Sequence, residues 1–283
     1  MTTSEFHAVY GKPDTKEAFY LFLENVFHLY PEAKFHQLIA EATNKFQDDE
    51  SIYKYIVTSL PGIKPFLSEV TYALPALKKQ KKEMAKQTLD ITGDRQVING
   101  CVEIGSTGRY VSEFRKHVKV KEPVYLVNDV AATNSLNDIF ERGGLFKIGK
   151  FVPLNEYAPI PESVIASNSV DMVTCFIGLH HCPPNILDGF VKSIYRILRK
   201  DGVFVLRDHD VQSKEMHTFV SLVHTVFNAG TNISWEFEHN DYKRFIAAEE
   251  WSTYLTGFGF TDTKKRILQV KDPSLNTLMG FVK

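Results

Sequence analysis

Apolar side chains recur every three or four residues through the first ninety positions of the chain, and this spacing predicts a series of helices. Helix breakers separate the stripes, because Pro31 follows the first and Pro61-Gly62 ends the third. A fourth helical region begins near Phe66 and restarts around Pro75. The three stripes before it consist of Phe19, Phe22, Leu23 and Val26; Phe35, Leu38, Ile39, Ala42 and Phe46; and Ile52, Tyr55, Ile56 and Leu60.

After the turn residues Thr92-Gly93-Asp94, short apolar runs alternate with further helical stripes. Each short run predicts a strand, and the unbroken run at 170–176 is typical of a strand buried on both faces. The stripes between the runs predict crossover helices. The predicted strands are 100–104, 124–128, 146–154, 170–176, 203–206, 261–270 and 276–282, and the predicted helices carry Leu136, Ile139 and Phe140; Leu187, Phe190, Val191, Ile194 and Leu198; Met216, Phe219, Val220, Val223 and Phe227; and Trp251 and Leu255.

This alternation predicts an α/β fold with a doubly wound parallel sheet and right-handed crossovers. The last two strands are joined only by residues 271–274, which is too short for a helical crossover, so they should pair antiparallel. The sheet is therefore predicted to have seven mostly parallel strands, with the last one antiparallel. Residues 1–92 are predicted to form an N-terminal helical cap on a domain at 93–283, and the aromatic-rich segment 230–248 is a candidate lid over the site.

A glycine turn, Gly105-Ser106-Thr107-Gly108, follows the first predicted strand and precedes a helix. Strand, glycine turn and helix together present backbone N–H groups and a positive helix end to an anionic or nucleotide-type ligand. The four-residue pattern by itself is equally compatible with an ordinary strand-to-helix turn.

Charge and cysteine content narrow the function classes. The 283 residues include 33 Lys and Arg against 34 Asp and Glu, so the formal net charge of −1 gives no overall nucleic-acid footprint. Lysines crowd 78–82, which favours a solvated helix face, with an anionic partner as the alternative. The cysteines Cys101, Cys175 and Cys182 lack zinc spacing, which favours buried free thiols and no metal site.

Two sequence patterns bear on the cellular location of the protein. No apolar run is long enough to cross a membrane, and the first residues lack the basic and then apolar pattern of a secretory leader. A cytoplasmic protein is expected.

Further motifs follow the glycine turn in order along the chain. They are Asp129 at the end of the second strand; Asn155-Glu156-Tyr157 after the third; Ser169-Val170-Asp171-Met172-Val173 with Gly178-Leu179-His180-His181 around the fourth; Tyr195-Arg196-Ile197-Leu198-Arg199-Lys200-Asp201-Gly202 before the fifth; and Glu250-Trp251 with Gly257-Phe258-Gly259-Phe260 before the final hairpin. With Val102-Glu103-Ile104 and the glycine turn, this ordered set resembles the class I S-adenosylmethionine-dependent methyltransferases over about 96–283.

The resemblance implies a Rossmann-like methyltransferase fold, S-adenosylmethionine as cofactor and S-adenosylhomocysteine as product. It implies that Asp129 binds the ribose hydroxyls and that the segment 155–157 contacts adenine. Glu103 is expected to order the ammonium end of the cofactor, directly or through water. A turn cap at Asp129 and a solvated acid at Glu103 are the alternatives. The expected cofactor-binding residues are Glu103, Gly105, Ser106, Thr107, Gly108, Asp129, Asn155, Glu156, Tyr157 and Phe176.

Some positions depart from the family pattern. Glycine is frequent in the family where Thr107 and Arg109 stand, and glycine is more usual at Asp201. A nicotinamide-dependent dehydrogenase is a poor alternative, because the G-x-G-x-x-G pattern fails at Thr107 and Tyr110. The serious alternative is a non-catalytic methyltransferase-like protein that binds the cofactor or a partner chain, since a fold does not establish chemistry.

Two histidine clusters follow strands whose ends face the predicted crevice. His181 lies in the first and His209 in the second, and each is a candidate general base, with Asp210 or Asp208 as its orienting carboxylate. Adjacent ligands at 180–182 fit tetrahedral zinc poorly, which argues against a metal there.

The methyl acceptor is not visible in the sequence, although near-neutral charge favours a small molecule or a protein. The oligomeric state is not visible either. On the fourth helical region, Tyr72, Gln80, Met84 and Gln87 recur at near-helical spacing and are expected to face the cofactor.

Overall fold

A computed structural model gives the fold of residues 4–27, 29–63, 74–131, 147–176 and 178–283. Contacts divide the chain into two units. The helical unit comprises 1–76, 209–241 and 269–275, and the sheet unit comprises 77–208, 242–268 and 276–283. The chain thus passes between the two units several times, and the expected helical cap at 1–92 stays a prediction.

The N-terminal helices follow the predicted apolar stripes. The second helix continues into one wider π-helical turn at Leu23–Phe27. The fourth helix includes Pro61 in its last turn, where proline removes few helix hydrogen bonds, and it therefore ends slightly later than predicted. The predicted start near Phe66 and the residue Tyr72 lie outside the described residues. The helices are α1 Glu5–Tyr10, α2 Pro13–Phe22, α3 Glu32–Lys45, α4 Asp49–Ile63 and α5 Leu74–Thr92.

The remaining elements alternate as the pattern predicts. The helix predicted around Leu136 lies outside the described residues, and the helix predicted after the glycine turn is α6, which ends at Phe114. The strands are β1 Val97–Ile104, β2 Lys119–Asn128, β3 Lys150–Pro153, β4 Val170–Cys175, β5 Leu198–His209, β6 Thr261–Leu268 and β7 Asn276–Val282, and the later helices are α6 Arg109–Phe114, α7 Pro184–Ile197, α8 Lys214–Gly230, α9 Trp235–Asn240 and α10 Ala248–Thr256.

The seven strands form one sheet in the order β3-β2-β1-β4-β5-β7-β6. The pairs within β1 to β5 are parallel, and β6 pairs antiparallel with β7. The predicted mostly parallel sheet with an antiparallel last strand is confirmed. β5 begins at Leu198, earlier than the predicted start at Val203. Asp201 and Gly202 precede the predicted strand in the sequence, but in the structure they form an irregularity within it, where Asp201 has φ 62°.

Each unit has its own hydrophobic core. In the helical unit, α8 packs among α1 to α4; the Phe19 and Phe219 rings lie 5.7 Å apart, and the Tyr30 hydroxyl donates to the Gly230 carbonyl at 2.9 Å. In the sheet unit, α5 contributes Met84 to a cluster on one face of the sheet. Among the described residues, no helix combines the length and the apolar character that a membrane span requires.

Alternation along β1 directs Glu103 toward the face that α6 covers, while Val102 and Ile104 enter the opposite cluster. Glu103 is buried, and its carboxylate oxygens accept hydrogen bonds from the amides of Tyr110 at 3.2 Å and Val111 at 2.6 Å. A carboxylate at a helix N-terminus satisfies amides that have no partner within the helix. Glu103 therefore fixes the start of α6 relative to β1.

Burial raises the pKa of Glu103, although hydrogen bonds from Ser106 and from the amides of Val111 and Tyr110 act in the opposite direction. The ionised form is thus costly in this position, and the hydrogen bonds to α6 offset part of that cost.

Replacing Glu103 with Ala removes the acceptor for both amides. We expect the free energy of unfolding to fall by about 1–3 kcal/mol for each amide left without a partner. Glu103→Gln keeps one side-chain oxygen as an acceptor and should be less destabilising. Urea unfolding of the two variants and the wild-type chain measures both effects.

The pH dependence separates the charge of Glu103 from its hydrogen bonds. Because the pKa is higher in the folded chain, its contribution to stability is complete below the ordinary carboxyl range and is lost as the pH rises through the folded pKa. Glu103→Gln does not titrate, so its stability relative to wild type should rise as the pH increases above the ordinary carboxyl range. A pH-independent difference would contradict this assignment.

Candidate functional site

The glycine turn lies at the carboxyl end of β1 and requires glycine at both ends. Gly105 has φ 78° and donates its amide to the Val127 carbonyl at 2.9 Å, which ties the turn to the end of β2. Gly108 has φ 95° and precedes α6; a Cβ there would lie 3.3 Å from Leu126. Between them, the Ser106 hydroxyl accepts from the Arg109 amide at 3.1 Å. The turn is thus compact and rigid, with backbone groups at its surface.

The Thr107 hydroxyl oxygen is buried and has no hydrogen-bond partner among the described residues. Buried hydroxyls are almost always hydrogen-bonded, so this one fits a ligand that brings its own polar groups to the turn. Thr107, which stands where the family often has glycine, therefore suits a cofactor site.

Asp129 follows β2 directly and is exposed. The Asn128 side chain donates to the Val130 carbonyl at 3.1 Å and so shapes the backbone on both sides of Asp129. An exposed carboxylate beside the glycine turn can accept from two neighbouring hydroxyls of a ligand. The geometry is compatible with the expected ribose contact.

The segment after β3 is a left-handed turn. Asn155, Glu156 and Tyr157 have φ values of 50°, 53° and 63°, a conformation that non-glycine residues adopt at a cost of about 1–2 kcal/mol each. The Tyr157 hydroxyl donates to the Gly178 carbonyl at 2.6 Å, and its ring packs edge-on against Phe190 at 5.5 Å. Tyr157 therefore anchors the turn to the loop after β4, while Asn155 and Glu156 are exposed.

Phe176 follows β4 and is buried with its ring edge-on to Tyr110, 4.9 Å between centroids. Both line a cavity of about 10 Å³ with Glu103 and Met84, which has room for about one water molecule. The cavity is far too small for a nucleotide-type ligand. The cavity belongs to the core beneath the strand ends.

Two residues of α5 that were expected to face the cofactor also lie in the core. Met84 lines this cavity, and Gln87 is buried and donates to the Leu268 carbonyl at 3.3 Å.

A buried histidine–aspartate pair lies at the ends of β4 and β5. His180 Nδ1 donates to Asp208 Oδ1 at 2.9 Å, and both side chains are at most 5% exposed. The His180 carbonyl accepts from the Arg244 amide at 2.8 Å, and Phe245 packs beside the imidazole at 5.3 Å. A carboxylate in this position fixes the tautomer of the ring, with the proton on Nδ1.

The predicted bases have other neighbours. The half-buried His181 ring lies 4.5 Å from the His180 ring. His209 donates from Nδ1 to the Ser274 carbonyl at 2.7 Å, and Asp210 accepts from the Gln212 side chain at 2.8 Å. Asp208 thus pairs with His180, which the sequence interpretation did not select.

A signal for His180 was present in the sequence. Asp208 comes two residues after the apolar run 203–206 of the fifth strand, and a carboxylate at the end of a buried strand requires a partner. The sequence could not say which of the neighbouring histidines supplies it.

Comparisons with known proteins agree with this geometry. A family model described as "Methyltransferase domain" matches residues 154–206, which run from the end of β3 into β5. No curated protein resembles the chain significantly in sequence.

Solved methyltransferase structures share the fold. The CurJ carbon methyltransferase is 17% identical, with 96% of this chain and 71% of that chain covered and a TM-score of 0.51. Mitomycin 7-O-methyltransferase MmcR is 13% identical, with 89% and 69% covered and a TM-score of 0.51. An O-methyltransferase family 2 protein from Planctomyces limnophilus, in complex with apigenin, is 11% identical, with 88% and 65% covered and a TM-score of 0.51. At these identities the likeness shows the fold alone.

The strand order, the glycine turn and the matched segment support one assignment. The sheet unit has the reversed last strand of the Rossmann-like methyltransferase fold, and the family match covers β4, the segments on both sides of it and most of β5. The chain therefore has the Rossmann-like methyltransferase fold, and its residues 154–206 match the methyltransferase-domain family.

Proposed function

We propose that this protein transfers the methyl group of S-adenosylmethionine to a nucleophilic atom of an acceptor and releases S-adenosylhomocysteine. The observation that carries the proposal is the glycine turn with its buried Thr107 hydroxyl, held between β1 and α6 by Glu103. When bound, the cofactor supplies a methyl group activated by its sulfonium centre.

The chain's own residues would divide the binding between them. The backbone of the turn from Gly105 to Gly108 receives the amino-acid end of the cofactor, with Ser106 and Thr107 as polar contacts. Asp129 accepts from the ribose hydroxyls, and Asn155 and Glu156 lie near the adenine. Tyr157 and Phe176 shape the walls of the site, as their packing supports.

Glu103 has a different function in this proposal from the one first expected. Both of its oxygens accept amides of α6, so it acts by holding the turn. A water-mediated contact to the cofactor's ammonium group is compatible with this arrangement.

The proposal for proton removal rests on His180. Transfer to a hydroxyl or amine acceptor requires a base near the acceptor's proton. Asp208 keeps the proton of the neutral imidazole on Nδ1, which leaves Nε2 as the basic nitrogen. His181 and His209 remain candidate bases, with Asp210 as an orienter.

A non-catalytic, cofactor-binding protein is the competing function. An enzyme and a non-catalytic binding protein would both bind S-adenosylhomocysteine. Only the enzyme would transfer a labelled methyl group to an acceptor. A screen of small-molecule and protein acceptors with methyl-labelled S-adenosylmethionine separates them and also identifies the acceptor.

Asp129→Ala should weaken the binding of S-adenosylhomocysteine about tenfold to a hundredfold, because a hydrogen bond to a charged group contributes about 1.5–3 kcal/mol. Isothermal titration calorimetry measures the dissociation constants. Asp94→Ala, which removes an exposed acid before β1, is the matched control and should bind as wild type does. Equal affinity in the Asp129 variant would remove that residue from the ribose contact.

His180→Ala should slow single-turnover methyl transfer by about 10²–10⁴-fold at saturating cofactor, as expected for loss of a positioned base. The measurement uses the acceptor identified in the labelled screen. His181→Ala, His209→Ala and Asp208→Asn are compared in the same series. If the His180 variant reacts at the wild-type rate, proximity and orientation alone drive the transfer.

A further inference from the structure

Two histidine rings of the helical unit are in contact through their Nε2 atoms. His209 follows directly after Asp208 at the end of β5, and His224 lies in α8. Their Nε2 atoms are 3.2 Å apart, and the ring planes are inclined at 71°. The two Nε2 atoms are therefore direct neighbours.

A hydrogen bond at its other ring nitrogen, Nδ1, fixes the orientation of the His209 ring. Its Nδ1 lies 2.7 Å from the Ser274 carbonyl oxygen, which can only accept, so Nδ1 carries the proton. In the neutral ring, Nε2 then presents its lone pair toward His224.

A further layer of contacts holds the Ser274 carbonyl. Asp272 Oδ1 accepts from the Ser274 amide at 2.8 Å and from its hydroxyl at 2.5 Å, and these two residues and His209 are buried. The Asp210 amide also donates to the Leu275 carbonyl at 3.1 Å. A histidine that donates its second ring N–H to a fixed carbonyl is the arrangement that orients metal ligands in proteins.

The distance between the two nitrogens is compatible with a shared metal ion as well as with a hydrogen bond. Two imidazole nitrogens bound to tetrahedral zinc at about 2.0–2.1 Å lie about 3.3 Å apart, close to the 3.2 Å found here. We propose that His209 and His224 bind a divalent transition-metal ion of the zinc type through their Nε2 atoms, with water in the remaining positions. Imidazole suits zinc and its neighbours better than magnesium or calcium.

Such an ion would link the end of β5 to α8 within the helical unit. Methyl transfer with His180 as the base requires neither the ion nor the link, whereas a metal on His209 Nε2 would exclude His209 as a base. The competing explanation is a simple hydrogen bond, in which His224 Nε2–H donates to His209 Nε2.

The test uses the full chain without a polyhistidine tag and Co²⁺ alone as the spectroscopic probe. We expect one tight site per chain with visible absorption of nitrogen-ligated cobalt, and displacement of this signal by Zn²⁺. His209→Ala and His224→Gln should each weaken Co²⁺ binding by at least about tenfold, since even loss of a supporting contact costs about 10–100-fold. Affinity should also fall below the histidine pKa range, where protons compete with the metal.

His224→Gln is the decisive variant, because its amide N–H can still donate to His209 and preserve the hydrogen-bonded alternative. His217→Ala, an exposed histidine on the same helix, is the matched control and should bind as wild type does. Zinc should raise the melting temperature of the wild-type chain and of the His217 variant, and leave that of His224→Gln unchanged. Unaltered metal binding or an unaltered zinc shift in His224→Gln would overturn the proposal, as would the lack of a tight site in the wild-type chain.

Discussion

The buried carboxylate of Glu103 is the contact on which the cofactor site depends. It joins the carboxyl end of β1 to the first amides of α6, and the glycine turn between them has little freedom left. Burial makes the charge costly, so the carboxylate belongs where helix amides compensate it. Gly105 and Gly108 follow from this constraint, because the backbone must reverse within a few residues through positive φ.

The same principle orders the neighbouring strand ends. After β3 the chain adopts a left-handed turn that is unfavourable by itself, and the Tyr157 hydroxyl holds it against the Gly178 carbonyl. After β4, His180 is fixed by Asp208 from β5. Parallel strands bring their carboxyl ends to one edge, and these cross-links make that edge a rigid site.

His180 and His209 show how two different acceptors fix two imidazoles near the end of one strand. Asp208 defines the tautomer of His180, whereas a backbone carbonyl defines that of His209. Because one ring belongs to the sheet unit and the other to the helical unit, the strand that carries Asp208-His209 directs consecutive side chains into different surroundings. We propose a proton-transfer function for the first histidine and a metal-binding function for the second.

The sequence by itself determined the fold class. Hydrophobic period, glycine turns and the short connection before β7 depend on local spacing, and they were sufficient for the seven strands and the mostly parallel sheet. Tertiary structure decided which side chains meet. That Asp208 pairs with His180, that Met84 and Gln87 enter the core, and that α8 packs with the N-terminal helices all depend on contacts between segments distant in the chain. Periodicity shows which face of an element is apolar, but it carries no information about the element that covers that face.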